Sequence, residues 1–218
     1  MKRTSLVAAF VASLLLSTAA RAATITFEDL APGDVLGSQY ASLGVVFSAN
    51  GFSGANSNST AEDWATNTDM TIVASSGADV GGLGAPALVS GNILRSFAGW
   101  MGEDGDASFA AVFTTAITSF SVDFAGVSDA GDTAIFVFNG SNLLGHVVNA
   151  TGVGQYTLGY SAPSITRVVI AAGSFADWVG VDNIRFTPVA AVPEPEAFAL
   201  MAVGLLAVWG TARRRQRH

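Results

Sequence analysis

Ile117-Thr-Ser-Phe-Ser-Val-Asp-Phe124 is the stretch that decides how this chain folds. Phe120, Val122 and Phe124 fall on one side of an extended backbone, and Ser119, Ser121 and Asp123 fall on the other. That period of two is what a half-buried strand shows. A strand with one apolar face must cover it with another layer, so a second sheet is expected opposite. Working outward from this point, β-branched and aromatic runs recur between clusters of Gly, Asn, Asp and Ser. They are Thr24–Phe27, Val45–Ser48, Met70–Ala74, Ser108–Thr114, Thr133–Phe138, Leu143–Val148, Gln155–Tyr160, Ile165–Ala171 and Val179–Phe186. Asn139-Gly140-Ser141-Asn142 joins two of them as a hairpin turn would. No sustained 3.6-residue periodicity interrupts the series between Ala23 and Val192. The expected fold is all-β: a two-sheet antiparallel β-sandwich over residues 23–188. Residues 50–67, poor in large side chains apart from Phe52 and Trp64, read as a long loop.

Both ends differ from this domain. Residues 1–22 have the three parts of a signal peptide: basic Lys2-Arg3, apolar Leu6–Leu16, and a small-residue end in Ala20-Arg21-Ala22. Eleven apolar residues are too few to span a hydrocarbon core of ~30 Å at about 1.5 Å each, so signal peptidase is expected to cut after Ala22 and leave Ala23 as the N-terminus. At the other end Pro193-Glu194-Pro195 lies in an extended linker, residues 189–196. The 16 uncharged residues Ala197–Ala212 read as a transmembrane helix, and residues 213–218 form a basic cytoplasmic tail with Arg213, Arg214, Arg215 and Arg217.

Removing these ends changes the charge balance. The whole chain carries −7, but from Ala23 to Val192 there are 15 acidic residues against Arg95, Arg167 and Arg185 alone, a net −12 with no lysine. Such a surface repels phosphate backbones and argues against nucleic-acid binding, while leaving cations, neutral sugars and proteins as partners. With no cysteine there is no disulfide framework, thiolate metal site or Cys nucleophile. A Ser-His-Asp arrangement lacks support too, since the domain's one histidine, His146, falls in a strand and no Gly-x-Ser-x-Gly elbow occurs. Gly82-Leu-Gly-Ala-Pro-Ala87 imitates a dinucleotide loop, but Pro86 and the missing helix remove its phosphate-binding terminus.

What remains are acidic residues and aromatics. Glu103-Asp-Gly-Asp106 and Asp129-Ala-Gly-Asp132 have the oxygens and glycine of a calcium loop without full EF-hand spacing, so a solvated turn is the plainer account. Trp64, Trp100 and Trp178 stand beside acidic or loop-like residues, where a sugar site would place a flat apolar platform among carboxylate acceptors. Core packing is the commoner fate of tryptophan. A polysaccharide-binding or structural surface protein that is not an enzyme fits this inventory. A secreted hydrolase acting on polysaccharide through paired carboxylates is the alternative.

Two resemblances add to this. The order Pro193-Glu194-Pro195, short apolar helix and Arg213-Arg214-Arg215 end resembles the PEP-CTERM sorting signal of Gram-negative bacteria. That resemblance implies export, transient anchoring in the inner membrane, processing by an exosortase, and a final place on the cell surface or in the extracellular matrix. Thr26-Phe-Glu-Asp-Leu30, Tyr40 with Gly44–Ser48, and Val181-Asp-Asn-Ile-Arg-Phe186 are similar to the first and last strands of jelly-roll domains akin to galactose-binding and carbohydrate-binding modules. In such domains the outer strands bring acidic residues together, so this resemblance implies a structural calcium ion near Glu28, Asp29 and Asp182. Parity sets a conflict there: in a straight first strand Asp29 shares a face with Ile25 and Phe27, while Glu28 points the other way.

Overall fold

The computed structural model describes residues 21–49, 68–76, 88–97, 107–127, 130–131, 133–150, 152, 154–173 and 178–190, with positions 204, 209 and 213 in the tail. Among the described residues nine strands carry the domain: β1 Ala23–Ile25, β2 Val45–Ser48, β3 Asp69–Ala74, β4 Asn92–Phe97, β5 Ala107–Val127, β6 Ala134–Asn139, β7 Asn142–Val148, β8 Gly154–Gly173 and β9 Trp178–Pro188. Every pairing is antiparallel. A 3-10 turn, Ala41–Leu43, precedes β2.

The sheet is continuous, yet it makes two layers because β5 and β8 belong to both. The first half of β5 lies between β2 and the second half of β8, which in turn pairs with β6, and β6 with β7. The second half of β5 lies between the first half of β8 and β9, and β9 continues to β4 and β3, with β1 beside its end. The crossing is visible in the register. From Val112↔Arg167 to Ile117↔Ile165 the chain takes more steps on β5 than on β8, and from there to Ser119↔Ser161 it takes more on β8. Extra residues on one strand bend it, and here they turn both strands from one layer into the other. Exposed Pro163, which has no N–H to donate, falls in the unpaired stretch of β8.

The bend inverts side-chain parity, so both halves still feed one core. Phe109, Ala111 and Phe113 point inward from the first half of β5, and Phe120, Val122 and Phe124 from the second. They meet Ile135 and Val137 of β6, Val168 and Ile170 of β8, and Val181, Ile184 and Phe186 of β9 in a single buried cluster. Rings bind the layers: Phe113 lies 5.1 Å from Phe186 and 6.3 Å from Phe120, while Tyr40 meets Phe27 and Phe47 edge-on. The antiparallel sandwich expected from the alternating segment is therefore present.

The differences are instructive. Two pairs of expected strands are each one long strand, and β4 was not anticipated. Ile93 and Leu94 are adjacent and both buried, in different clusters, so β4 is covered on both faces and shows no alternation. The first strand ends early: Phe27 takes a left-handed φ of 59° and Leu30 N–H bonds the Phe27 carbonyl at 3.0 Å, turning the chain before Glu28 and Asp29. The chain does not run straight there, which removes the condition on which the parity conflict rested.

Candidate functional site

The side of β5 that the sequence marks as polar becomes the floor of an open groove on the outer face of the second layer. Ser121 lies opposite Gly159 of β8 on one side and Arg185 of β9 on the other, and Arg185 lies opposite Thr24 of β1. One row of side chains thus crosses four strands. Ser119 repeats the pattern with Ser161 and Thr187 in the next row. The groove they line holds about 440 Å³ and also takes in Ala22, Ala23 and Tyr160. Gly159 keeps the floor low: a Cβ there would stand 3.2 Å from that of Ser121. Thr24, Ser119, Ser121, Ser161 and Thr187 share the lining with the larger Phe120, Tyr160, Arg185 and Phe186.

Next to Ser121 on the same face of β5, Asp123 is fixed by three donors. Its Oδ2 accepts from Arg185 Nη2 at 2.9 Å, and its Oδ1 accepts from Arg185 Nη1 at 3.2 Å and from Thr157 Oγ1 at 2.7 Å. The Asp123 side chain is 3% exposed and that of Arg185 is 43% exposed, so the pair presents only its cationic half to solvent. A carboxylate that deep is tolerated because the bidentate guanidinium and the hydroxyl occupy its lone pairs.

The next row holds Asp182, opposite Asp123 on β9 and equally buried. Its Oδ1 accepts from Asn183 N–H at 2.6 Å and its Oδ2 from Ser90 N–H at 3.3 Å. Two residues on, Asn92 N–H donates to Glu28 Oε1 at 3.1 Å. Gly91 between them has φ 67°, and the Glu28 carboxylate occupies the space a Cβ would need. Glu28 and Asp182 therefore converge on the chain entering β4. Burial, with lesser help from Asp123 and Glu28, pushes Asp182 up to about 6 against the opposing pull of its two backbone donors. Asp29 goes elsewhere: its Oδ1 accepts from the Tyr40 hydroxyl at 2.6 Å, and burial followed by this carboxylate raises the phenol. Of the three residues tied to calcium, two come together. Among the described residues no group of three or more His, Cys, Asp or Glu side chains forms a metal-holding cluster.

Trp64 and Trp100 lie outside the described residues, as do both calcium-loop sequences in all but two positions. Trp178 opens β9 with its backbone paired to Phe97. His146 is an exposed residue of β7 whose ring stacks on Phe136 at 5.6 Å. In the tail, Pro193, Glu194, Pro195, Arg214 and Arg215 are outside the described residues. Gly204, Trp209 and Arg213 are helical, and the Arg213 guanidinium sits 4.8 Å from the Trp209 ring. No helix among the described residues is long and apolar enough to cross a membrane. Thr24, Ser119, Ser121, Ser161 and Arg185 were assigned no binding role from sequence. The available signal was the hydroxyl alternation at 119 and 121, which without strand order is indistinguishable from an ordinary solvent face.

Among solved structures, the K2 cleaved adhesin domain of Lys-gingipain is 15% identical with a TM-score of 0.44, the match covering 77% of this chain and 99% of that one. TmCBM27, a carbohydrate-binding module described for specific mannan recognition, is 10% identical with a TM-score of 0.37, covering 78% and 99%. TmCBM61, solved with beta-1,4-galactotriose, is 12% identical with a TM-score of 0.35, covering 55% and 82%. No curated protein matches the chain. Residues 191–216 match the PEP-CTERM protein-sorting motif, so the chain carries the signal that implies exosortase processing, export and sorting to the cell surface.

Proposed function

We propose that the exported domain binds polysaccharide without chemical turnover, along the groove that crosses β1, β9, β5 and β8. The observation that carries this is the groove's lining, in which Thr24, Ser119, Ser121, Ser161 and Thr187 surround Arg185. Hydroxyls donate and accept, and so match the hydroxyls of a sugar chain, while a face open across four strands admits a polymer and not only its end. A surface or matrix location, which the sorting motif implies, supplies such polymers. The alternative, a secreted hydrolase, needs two carboxylates facing the scissile bond. Among the described residues lining the groove none is acidic.

Glycan-array binding by the mature protein tests the proposal. Ser121→Trp, which fills the floor opposite Gly159, is expected to abolish binding while the circular dichroism spectrum and melting temperature stay those of the parent. Unchanged binding in that variant refutes the groove, and new reducing ends released from a bound polymer establish the hydrolase. Trp64, Trp100 and Trp178 enter as sugar platforms by the same assay: alanine at each in turn should weaken binding wherever the indole stacks on a sugar. The calcium proposal narrows to Glu28 and Asp182 with neighbouring backbone oxygens, and a melting temperature that neither EDTA lowers nor calcium raises removes it.

A further inference from the structure

One end of the groove is built by the residues at the expected signal-peptidase site. Ala20-Arg21-Ala22 is the small-residue motif, and Ala22, Ala23 and Thr24 line the groove beside Arg185. Arg185 is the one charged residue in that lining among the described residues. Of a guanidinium's five N–H groups, two serve Asp123, which leaves three on a side chain 43% exposed. Before cleavage the charges of Arg185 and Asp123 cancel. Asp182, one row away, is buried and does not line the groove.

Cleavage changes this balance. Water adds across the Ala22–Ala23 peptide bond; the carboxylate leaves with Ala22, and the freed amine of Ala23 takes up a proton. An α-amino group has an ordinary pKa of about 7.7–8.0, so it is largely an ammonium at neutral pH. We infer that export completes the binding site: the Ala23 ammonium joins Arg185 at the end of the groove that Ala22 vacates, and the mature face selects an acidic polysaccharide through its sugar carboxylates. The inference rests on the groove proposed above and names its ligand class. The surrounding domain carries −12 by sequence, but screening over about 8 Å leaves a local cationic spot able to hold a planar carboxylate.

The sequence offers an unusually clean test. Lys2 is the only lysine and departs with the leader, so the Ala23 amine becomes the sole primary amine of the mature protein. Mature protein from the native host is treated with an acetylating reagent, and its binding to polygalacturonate and to a neutral galactan is titrated before and after. The expected results are Ala23 as the N-terminal residue, one acetyl group per molecule, and about a tenfold loss of polygalacturonate affinity with little change toward galactan. A different N-terminal residue, undiminished polygalacturonate binding after acetylation, or a preference for galactan each overturns the inference. Galactan binding that is lost in Ser121→Trp keeps the groove and rejects only the acidic ligand. Polygalacturonate binding that survives Ser121→Trp rejects the groove itself.

Discussion

At the scale of single residues, the second layer depends on charges and backbone angles that leave few alternatives. Arg185→Ala strips the bidentate donor from Asp123 and leaves a buried carboxylate with Thr157 as its remaining side-chain donor. Breaking a buried pair from one side costs about 3–5 kcal/mol, and the half-exposed guanidinium brings the expected loss to about 2 kcal/mol. Equilibrium urea unfolding of the variant reads this directly. Asp123→Asn in the same background should recover part of the loss, because the uncompensated charge is gone. Gly91→Ala is predicted to destabilise by about 1–3 kcal/mol, since alanine strains at φ 67° and its methyl displaces the Glu28 carboxylate from Asn92 N–H. Glycine at 91 carries no local signal of this in the sequence. Its role, making room for a carboxylate 63 residues earlier in the chain, depends on a contact that no local pattern encodes.

At the scale of elements, Asp182 fastens the segment entering β4 to β9, and the pH at which it titrates becomes a property of that junction. Its folded pKa of about 6 lies above the ordinary 3.8, so the native state holds the proton that the unfolded chain has already lost. Stability from this group is therefore full below about pH 4 and falls as pH rises through about 6, by roughly 2–3 kcal/mol in all. Between pH 4.5 and 7.5 the melting temperature of the parent should drop relative to that of Asp182→Asn, and parallel curves contradict the assignment. A calcium ion on Glu28 and Asp182 would hold both carboxylates ionised and flatten the parent's slope, so the same measurement with added calcium tests the metal. The strands themselves were largely legible: β2 matches its expected bounds, β3 and β7 each begin one residue earlier, and β6 is shifted by one residue. The long strands were not, because alternation breaks at a bulge just as it breaks at a loop, and only the pairing of Val112 and of Ile117 to the one strand β8 shows that β5 is continuous. The groove was hidden for the same reason. Ser119 and Ser121 were read as a polar face, but what stands beside them is fixed by partners 38 to 68 residues away in sequence.

At the scale of the whole molecule, the ends govern where the domain acts, and their physics can be argued from residue counts. The 16 uncharged residues Ala197–Ala212 reach about 24 Å as a helix, short of a hydrocarbon core of ~30 Å. In a membrane, arginines after the helix would be expected to correct the shortfall by snorkelling, and Arg213 over Trp209 joins a cation to an aromatic ring of the kind that suits the interface. The expected topology has the four arginines in the cytoplasm and the domain carried outward by the leader, which would set Pro193-Glu194-Pro195 on the outer face, within reach of the membrane-embedded exosortase that the sorting motif implies. A permanent anchor would use the same helix, and the Arg213–Arg215 cluster would then matter only for topology. For a processed signal, the expected intact mass of the mature protein excludes Ala197–His218, with the domain recovered outside the cell or at its surface. Replacing Arg213, Arg214 and Arg215 by glutamine should leave unprocessed precursor of higher mass. A mature wild-type mass that still includes the helix and the arginine tail makes it an anchor and overturns release near Pro193-Glu194-Pro195.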